Sequence, residues 1–133
     1  MRDEAREQEA ARHWLWLAWE VGAVFRGRED EPTATQWHIL NALAGSGPLT
    51  LMAAAARLGV TGATAARAVS AAARHGWLIK DRDPQDRRVV WLRITPMGEA
   101  AVAETTAKVA ERLAAIERRE PGADPQGAAV GPL

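Results

Sequence analysis

Cysteine is absent from this 133-residue chain, which excludes disulfides, thiolate metal sites and thiol redox chemistry. Tyrosine is absent too, and phenylalanine occurs once. No net charge is left over, because 17 basic and 17 acidic side chains cancel, which separates the chain from highly charged disordered proteins. Long hydrophobic runs are also missing. The longest apolar stretch, Trp14 to Phe25, is broken by Glu20; it is about a dozen residues, where a membrane span needs roughly 20. Charges of both signs precede it and no small-residue cleavage site follows, so it does not read as a secretory signal. A cytoplasmic protein is the expectation. Large aliphatic side chains are scarce: 29 alanines stand against 25 Leu, Ile, Val and Phe together. Alanine favours helix but buries little area. The composition therefore predicts a mostly helical chain with a thin core, and a thin core favours burial of further surface in a dimer.

Residues 3–28 read as one helix, with Trp14, Leu17, Ala18, Val21 and Phe25 at helical spacing. Leu15, Trp16, Trp19 and Gly22 make it apolar nearly all round, as in a helix buried on several sides. Thr33 and Gln36 have the spacing of a capping box for a second helix. Its apolar side carries Trp37, Leu40 and Ala44, with Ile39 and Leu43 beside them, and Gly45–Ser46–Gly47–Pro48 ends it. Thr50 caps a third helix, Leu51 to Leu58, which stops at Gly59. Thr61 caps a fourth, running to Arg74 and stopped by Gly76. Two short helices joined by Gly59–Val60–Thr61 form a helix-turn-helix pattern.

The period then changes. Residues 77–80 and 89–94 read as strands around the polar turn 81–88, a hairpin in which Trp91 is expected to pair with Ile79 as an exposed apolar staple. Thr95 caps a last helix with Pro96 in its first turn, running to about Arg119. Residues 120–133 are rich in Pro, Gly and Ala without periodicity and read as a flexible tail.

The zero net charge hides an asymmetry. Residues 1–56 carry 5 basic and 8 acidic side chains, residues 57–93 carry 8 and 3, and residues 94–133 carry 4 and 6. The basic middle, net +5, spans the helix-turn-helix and the hairpin. Such a patch attracts a polyanion even on a neutral protein, although a solvated patch without a partner has the same composition.

A helix-turn-helix followed by a charged hairpin is a winged helix. Asp83-Pro84-x-Asp86-x-Arg88 followed by Leu92-x-Ile94-Thr95-x-x-Gly98 resembles the wing signature of the MarR (multiple antibiotic resistance regulator) family. Thr35, Trp37, Ile39, Leu40, Gly47-Pro48-Leu49-Thr50, Leu58-Gly59-Val60, Thr64, Arg67 and Gly76-Trp77-Leu78 follow the same family's order over residues 33–98. The resemblance implies a mostly α fold with a small β-hairpin wing: a winged helix-turn-helix flanked by N- and C-terminal dimerisation helices. It implies one domain over residues 1–119, with a DNA-binding core at about 33–95 and dimerisation helices at about 3–28 and 96–119. It further implies a homodimeric transcription regulator, a repressor in many members, on a pseudo-palindromic operator, released by a small aromatic ligand in many cases. Two departures stand out. Ala54, Ala65 and Ala72 occupy positions often filled by leucine or valine, and one long helix with an unpatterned tail stands where members commonly end in two helices.

The candidate DNA-binding residues on the fourth helix are Thr61, Ala63, Thr64, Arg67 and Ser70. Hydroxyls and free backbone N–H groups in a first helical turn can meet a phosphate or a base edge. Arg67 has the reach for guanine O6 and N7, and Ala63 and Ala66 can touch thymine methyls. Thr61 serves equally as a plain helix cap. In the wing, Asp86, Arg87 and Arg88 are the candidates. A carboxylate can orient a guanidinium through a bidentate pair, and the resemblance assigns the Asp86–Arg88 pair to the minor groove. The bland alternative is an exposed ion pair of little consequence. Trp14, Trp16, Trp19 and Trp37 are candidates to frame a cleft for a flat aromatic ligand, with His38 as a polar contact; core and dimer packing explain the same residues. No metal-ligand spacing, nucleophile motif or phosphate loop is present, so neither a cofactor nor an enzyme is expected. The competing reading is a winged-helix protein-interaction module with weak or lost DNA binding, which the alanine-rich fourth helix and the zero net charge leave open and the basic 57–93 segment argues against.

Overall fold

The computed structural model describes residues 3–26 and 28–119; the tail expected at 120–133 lies outside them. Five helices and three short strands follow in the order α1 (Glu4–Gly22), α2 (Ala34–Ser46), β1 (Leu49–Thr50), α3 (Leu51–Leu58), α4 (Gly62–Arg74), β2 (Leu78–Arg82), β3 (Val90–Ile94) and α5 (Pro96–Arg119). Threonine starts four of the helices, because its hydroxyl accepts an N–H that the first turn leaves unpaired. Thr33 caps α2 in a full capping box with Gln36. Thr50 accepts from Ala53 N, Thr61 from Thr64 N and Thr95 from Gly98 N. Gly59 ends α3 in the left-handed region at φ +70°, a conformation glycine adopts without the clash a Cβ brings, and so sets the tight turn into α4.

The chain divides into two compact units. The larger covers residues 27–106. Its core is Ile39, Leu40 and Leu43 of α2, Ala54 of α3, Val69 and Ala72 of α4, Trp77, Leu78, Leu92, Ala101 and Val102. Ala54, Ala65 and Ala72 are fully buried, so the small side chains let the helices meet closely at those positions. The strands form one antiparallel sheet in the order β1-β3-β2. Val90, Leu92 and Ile94 turn inward and Trp91 and Arg93 outward, the alternation expected of a half-buried strand.

The other unit holds α1, a single 3-10 turn at Ala23–Phe25 and the part of α5 from Ala107 onward. Within it, Arg112 donates to Glu20 at 2.8 Å and Arg26 lies over the Trp19 ring at 4.1 Å.

Several expectations are corrected. The first helix does not run from 3 to 28: it ends at Gly22, and the chain tightens into the 3-10 turn before leaving helical geometry at Arg26. Within a single chain no α1 residue is fully buried, and Trp14, Leu15 and Trp19 are 66%, 71% and 67% exposed. Ala44 is exposed, and the buried stripe of α2 is Gln36, Ile39, Leu40 and Leu43. Strand β1 is an element that the sequence pattern does not predict, and the hairpin strands are 78–82 and 90–94. Trp91 pairs with Asp81, not Ile79, which faces Arg93. The turn sets this register: Asp83 N–H donates to the Val89 carbonyl at 2.9 Å and Arg82 faces Val90.

Candidate nucleic-acid interface

Helix α4 presents its polar side away from the core because Ala65, Val69 and Ala72 form its buried stripe. Ala63 and Arg67 are exposed, and Thr64 and Ser70 are half-buried. The Thr61 hydroxyl accepts the Thr64 amide at 3.1 Å and donates to the Thr64 hydroxyl at 3.0 Å. Thr61 is therefore occupied as a cap. Arg67 lines a shallow groove with Ala66, Ser70 and Arg74.

The wing tip is ordered by two aspartates. Asp83 Oδ1 accepts the amides of Gln85 at 2.7 Å and Asp86 at 3.2 Å. Its Oδ2 accepts the Trp91 indole N–H at 3.0 Å. Asp86 Oδ1 accepts the Arg88 amide at 3.1 Å and Nε at 3.0 Å, and Oδ2 accepts Nη2 at 3.1 Å. This two-bond fork fixes the plane of a guanidinium that is 91% exposed and leaves Nη1 for an outside acceptor. Arg87 is exposed, and its carbonyl accepts from Arg82 Nη1 at 2.9 Å.

These bonds shift the acids. The Trp91 indole, followed by the Gln85 amide, holds the Asp83 carboxyl below the ordinary carboxylate range. The Arg88 side chain, followed by its amide, does the same for Asp86, and Asp86 raises the Arg88 guanidinium in turn. A carboxylate whose folded pKa is depressed contributes stability that is fully present above the unfolded value, about 4, and is lost as pH falls through the folded value. The tip should thus keep its shape through neutral and mildly acidic solution. In a carboxyl-carbon NMR titration, both midpoints should lie below about 4; midpoints at or above it would show that these bonds do not persist in solution.

Two basic residues were missed. Lys80 and Arg82 line a groove of about 350 Å³ with Leu51, Ala66, Val69, Ser70 and Val90, between α4 and the hairpin. Lys80 Nζ donates to the Ser70 hydroxyl at 3.3 Å. The signal was the strand period: with Leu78 inward, Lys80 and Arg82 share its face and reach past the core beside α4. The structure thus sets Arg67 in one groove and Lys80 and Arg82 in another, the two sharing Ala66 and Ser70, and sets Asp86, Arg87 and Arg88 at the tip of the adjoining hairpin.

Trp14 and Trp19 are exposed on α1, and Trp16 is half-buried. Trp37, on α2, donates its indole N–H to Thr106 at 3.3 Å. The His38 ring meets that of Trp37 edge-on at 5.0 Å and lines a groove of about 690 Å³ with Thr35, Asn41, Ser46, Arg57 and Val60. Among the described residues no group of three or more His, Asp or Glu side chains is placed to hold a metal ion, and no helix is long and apolar enough to cross a membrane.

A helix-turn-helix whose second helix projects a polar face beside a basic hairpin defines a winged-helix DNA-binding module. A sequence model of the MarR family matches residues 32–89. The PcaV transcriptional regulator from Streptomyces coelicolor, solved in complex with its natural ligand, is 30% identical; the match covers 94% of this chain and 82% of that one, with a TM-score of 0.63. The MarR family transcription regulator SP03579 is 23% identical over 86% of this chain and 78% of its own, with a TM-score of 0.71. BpsR of Bordetella bronchiseptica, whose DNA binding is regulated by 6-hydroxynicotinic acid, is 23% identical over 86% and 82%, with a TM-score of 0.63. At those lower identities the likeness shows the fold. No curated protein matches. The chain belongs to the MarR family of winged-helix, DNA-binding transcription regulators.

Proposed function

We propose that two copies of this chain bind one pseudo-palindromic operator. In this reading α4 lies in the major groove, with Thr64 and Arg67 at base edges and Ala63 against thymine methyls. Ser70, Lys80 and Arg82 meet the backbone phosphates, and Arg88 enters the minor groove, whose negative potential favours a guanidinium. The observation that carries the reading is the Asp86–Arg88 fork: a planar, charged group held in one orientation yet almost wholly exposed. Such ordering has no use in the core and suits an external acceptor.

Dimerisation is supported by α1. Three large apolar side chains, Trp14, Leu15 and Trp19, stand exposed on one helix, and such a patch is commonly covered by a partner. We place dimerisation in residues 3–28 and 96–119, around a DNA-binding core at 33–95. A response to a small ligand is supported by the likeness to PcaV, itself solved with a natural ligand, and an aromatic ligand by the likeness to BpsR, whose DNA binding is regulated by 6-hydroxynicotinic acid.

The test is recovery of genomic DNA fragments on the purified protein, then a salt titration of the best fragment against a scrambled one. The recovered set should share an inverted repeat with half-sites about 10 bp apart. Affinity should fall linearly in log–log form with salt, and removing Lys80 or Arg82 should flatten the slope by about 1 each. Equal binding to both fragments, or no shared repeat, would overturn this reading in favour of a protein-interaction module.

A further inference from the structure

The wing tip has no apolar core. Residues 83–88 are exposed or half-buried, so polar bonds alone hold their shape. Asp83 stands at the centre of those bonds and its two oxygens have separate tasks. Oδ1 gathers the Gln85 and Asp86 amides, which places the Asp86 carboxylate under Arg88. Oδ2 makes no bond to the tip; it is held by the indole of Trp91, eight residues on. Trp91 is itself anchored, because its backbone sits in the middle strand, between Thr50 of β1 and Asp81 of β2.

We propose that Trp91 is a positioning residue for the wing: its indole N–H fixes the Asp83 rotamer and, through Asp83 and Asp86, the orientation in which Arg88 is presented to DNA. The inference rests on the minor-groove reading of the wing. A ring in this place needs only bulk if its task is to cover the sheet, and Val or Phe would serve. The N–H aimed at a carboxylate is the feature that bulk does not explain. It turns an exposed strand residue into a latch between the rigid sheet and the tip, and a tip held in its bound shape forfeits less freedom on binding.

The experiment compares wild type, Trp91→Phe, Arg88→Ala and the double variant for affinity to the best recovered fragment. Phenylalanine keeps the ring and removes the N–H. Trp91→Phe should weaken binding about fivefold, and should cost nothing further in the Arg88→Ala background, because residues that act through one another are not additive. The Gln85 and Asp86 amides should exchange faster in Trp91→Phe, with the rest of the sheet unchanged. Asp83→Asn gives a second check: its NH2 must face either the indole N–H or the Gln85 and Asp86 amides, donor to donor, so it should weaken binding at least as much. If Trp91→Phe binds like wild type while Arg88→Ala falls tenfold, the latch is wrong and the wing reading stands. An equal cost in both backgrounds would also overturn the latch, since Trp91 would then act on DNA or on the fold by itself. If Arg88→Ala leaves binding intact, the wing reading fails and takes the latch with it.

Discussion

Gly98→Ala should destabilise the protein by about 3 kcal/mol, near the upper end for overpacking a core, and lower its melting temperature by on the order of 10 °C or more. Gly98 is buried in the first turn of α5. A Cβ there would overlap the carbonyl oxygen of Trp77 and meet Ile94 Cγ1 at 2.8 Å. The obstacle is main chain, so no side-chain rotation relieves it. The same Trp77 carbonyl accepts the Thr95 amide at 3.0 Å, and the Thr95 hydroxyl donates to the Gly76 carbonyl. Any shift that makes room for the methyl therefore also strains the bonds that start α5. Gly45→Ala is the control. Gly45 is exposed in α2 with nothing within 4 Å of an added Cβ, so it should be neutral or more stable by up to about 1 kcal/mol. Urea unfolding of both variants decides the matter: equal stabilities would mean that α5 does not seat on Trp77 as described.

The features legible from sequence are those that local chemistry determines. Thr33 with Gln36, Thr50, Thr61 and Thr95 are each read within three or four residues, and each caps the helix it was expected to start. Gly59 and Gly76 lie where the chain needs positive φ. The Asp86–Arg88 pair is likewise a contact between residues two apart, and it forms. What escaped depends on residues distant in the chain or on partners outside it. Strand β1 is two residues long and exists only because Leu49 and Thr50 meet Leu92 and Trp91. The Trp91 register follows from how the turn closes, which alternation alone leaves free by steps of two. Lys80 reads as a strand end and Arg82 as part of the polar turn until the position of α4 beside them is known. The end of α1 is not legible because Val21, Val24 and Phe25 keep near-helical spacing through the 3-10 turn, and periodicity does not separate the two.

Arg88→Ala should weaken operator binding at least tenfold while leaving the fold and its melting temperature unchanged. The two halves of that expectation come from the same geometry. The Arg88 side chain is 91% exposed and its partner Asp86 is partly open to water. Truncation therefore creates no cavity and strands no buried charge, which are the usual sources of large destabilisation. Binding is different, because a guanidinium in a narrow minor groove acts where the potential is most negative and its orientation is already set by the fork. Arg88→Lys separates charge from orientation. Lysine keeps the charge but has no planar pair of donors to lock against Asp86, so it should restore the salt dependence without restoring most of the affinity. Asp86→Asn removes the charge that holds the fork and should fall between wild type and Arg88→Ala. Fluorescence anisotropy at moderate salt, with circular dichroism melting alongside, reads all three. Unchanged affinity for Arg88→Ala would leave the fork as an ordinary surface ion pair; full rescue by lysine would show that charge near the groove suffices and that the carboxylate beneath it has no part in recognition.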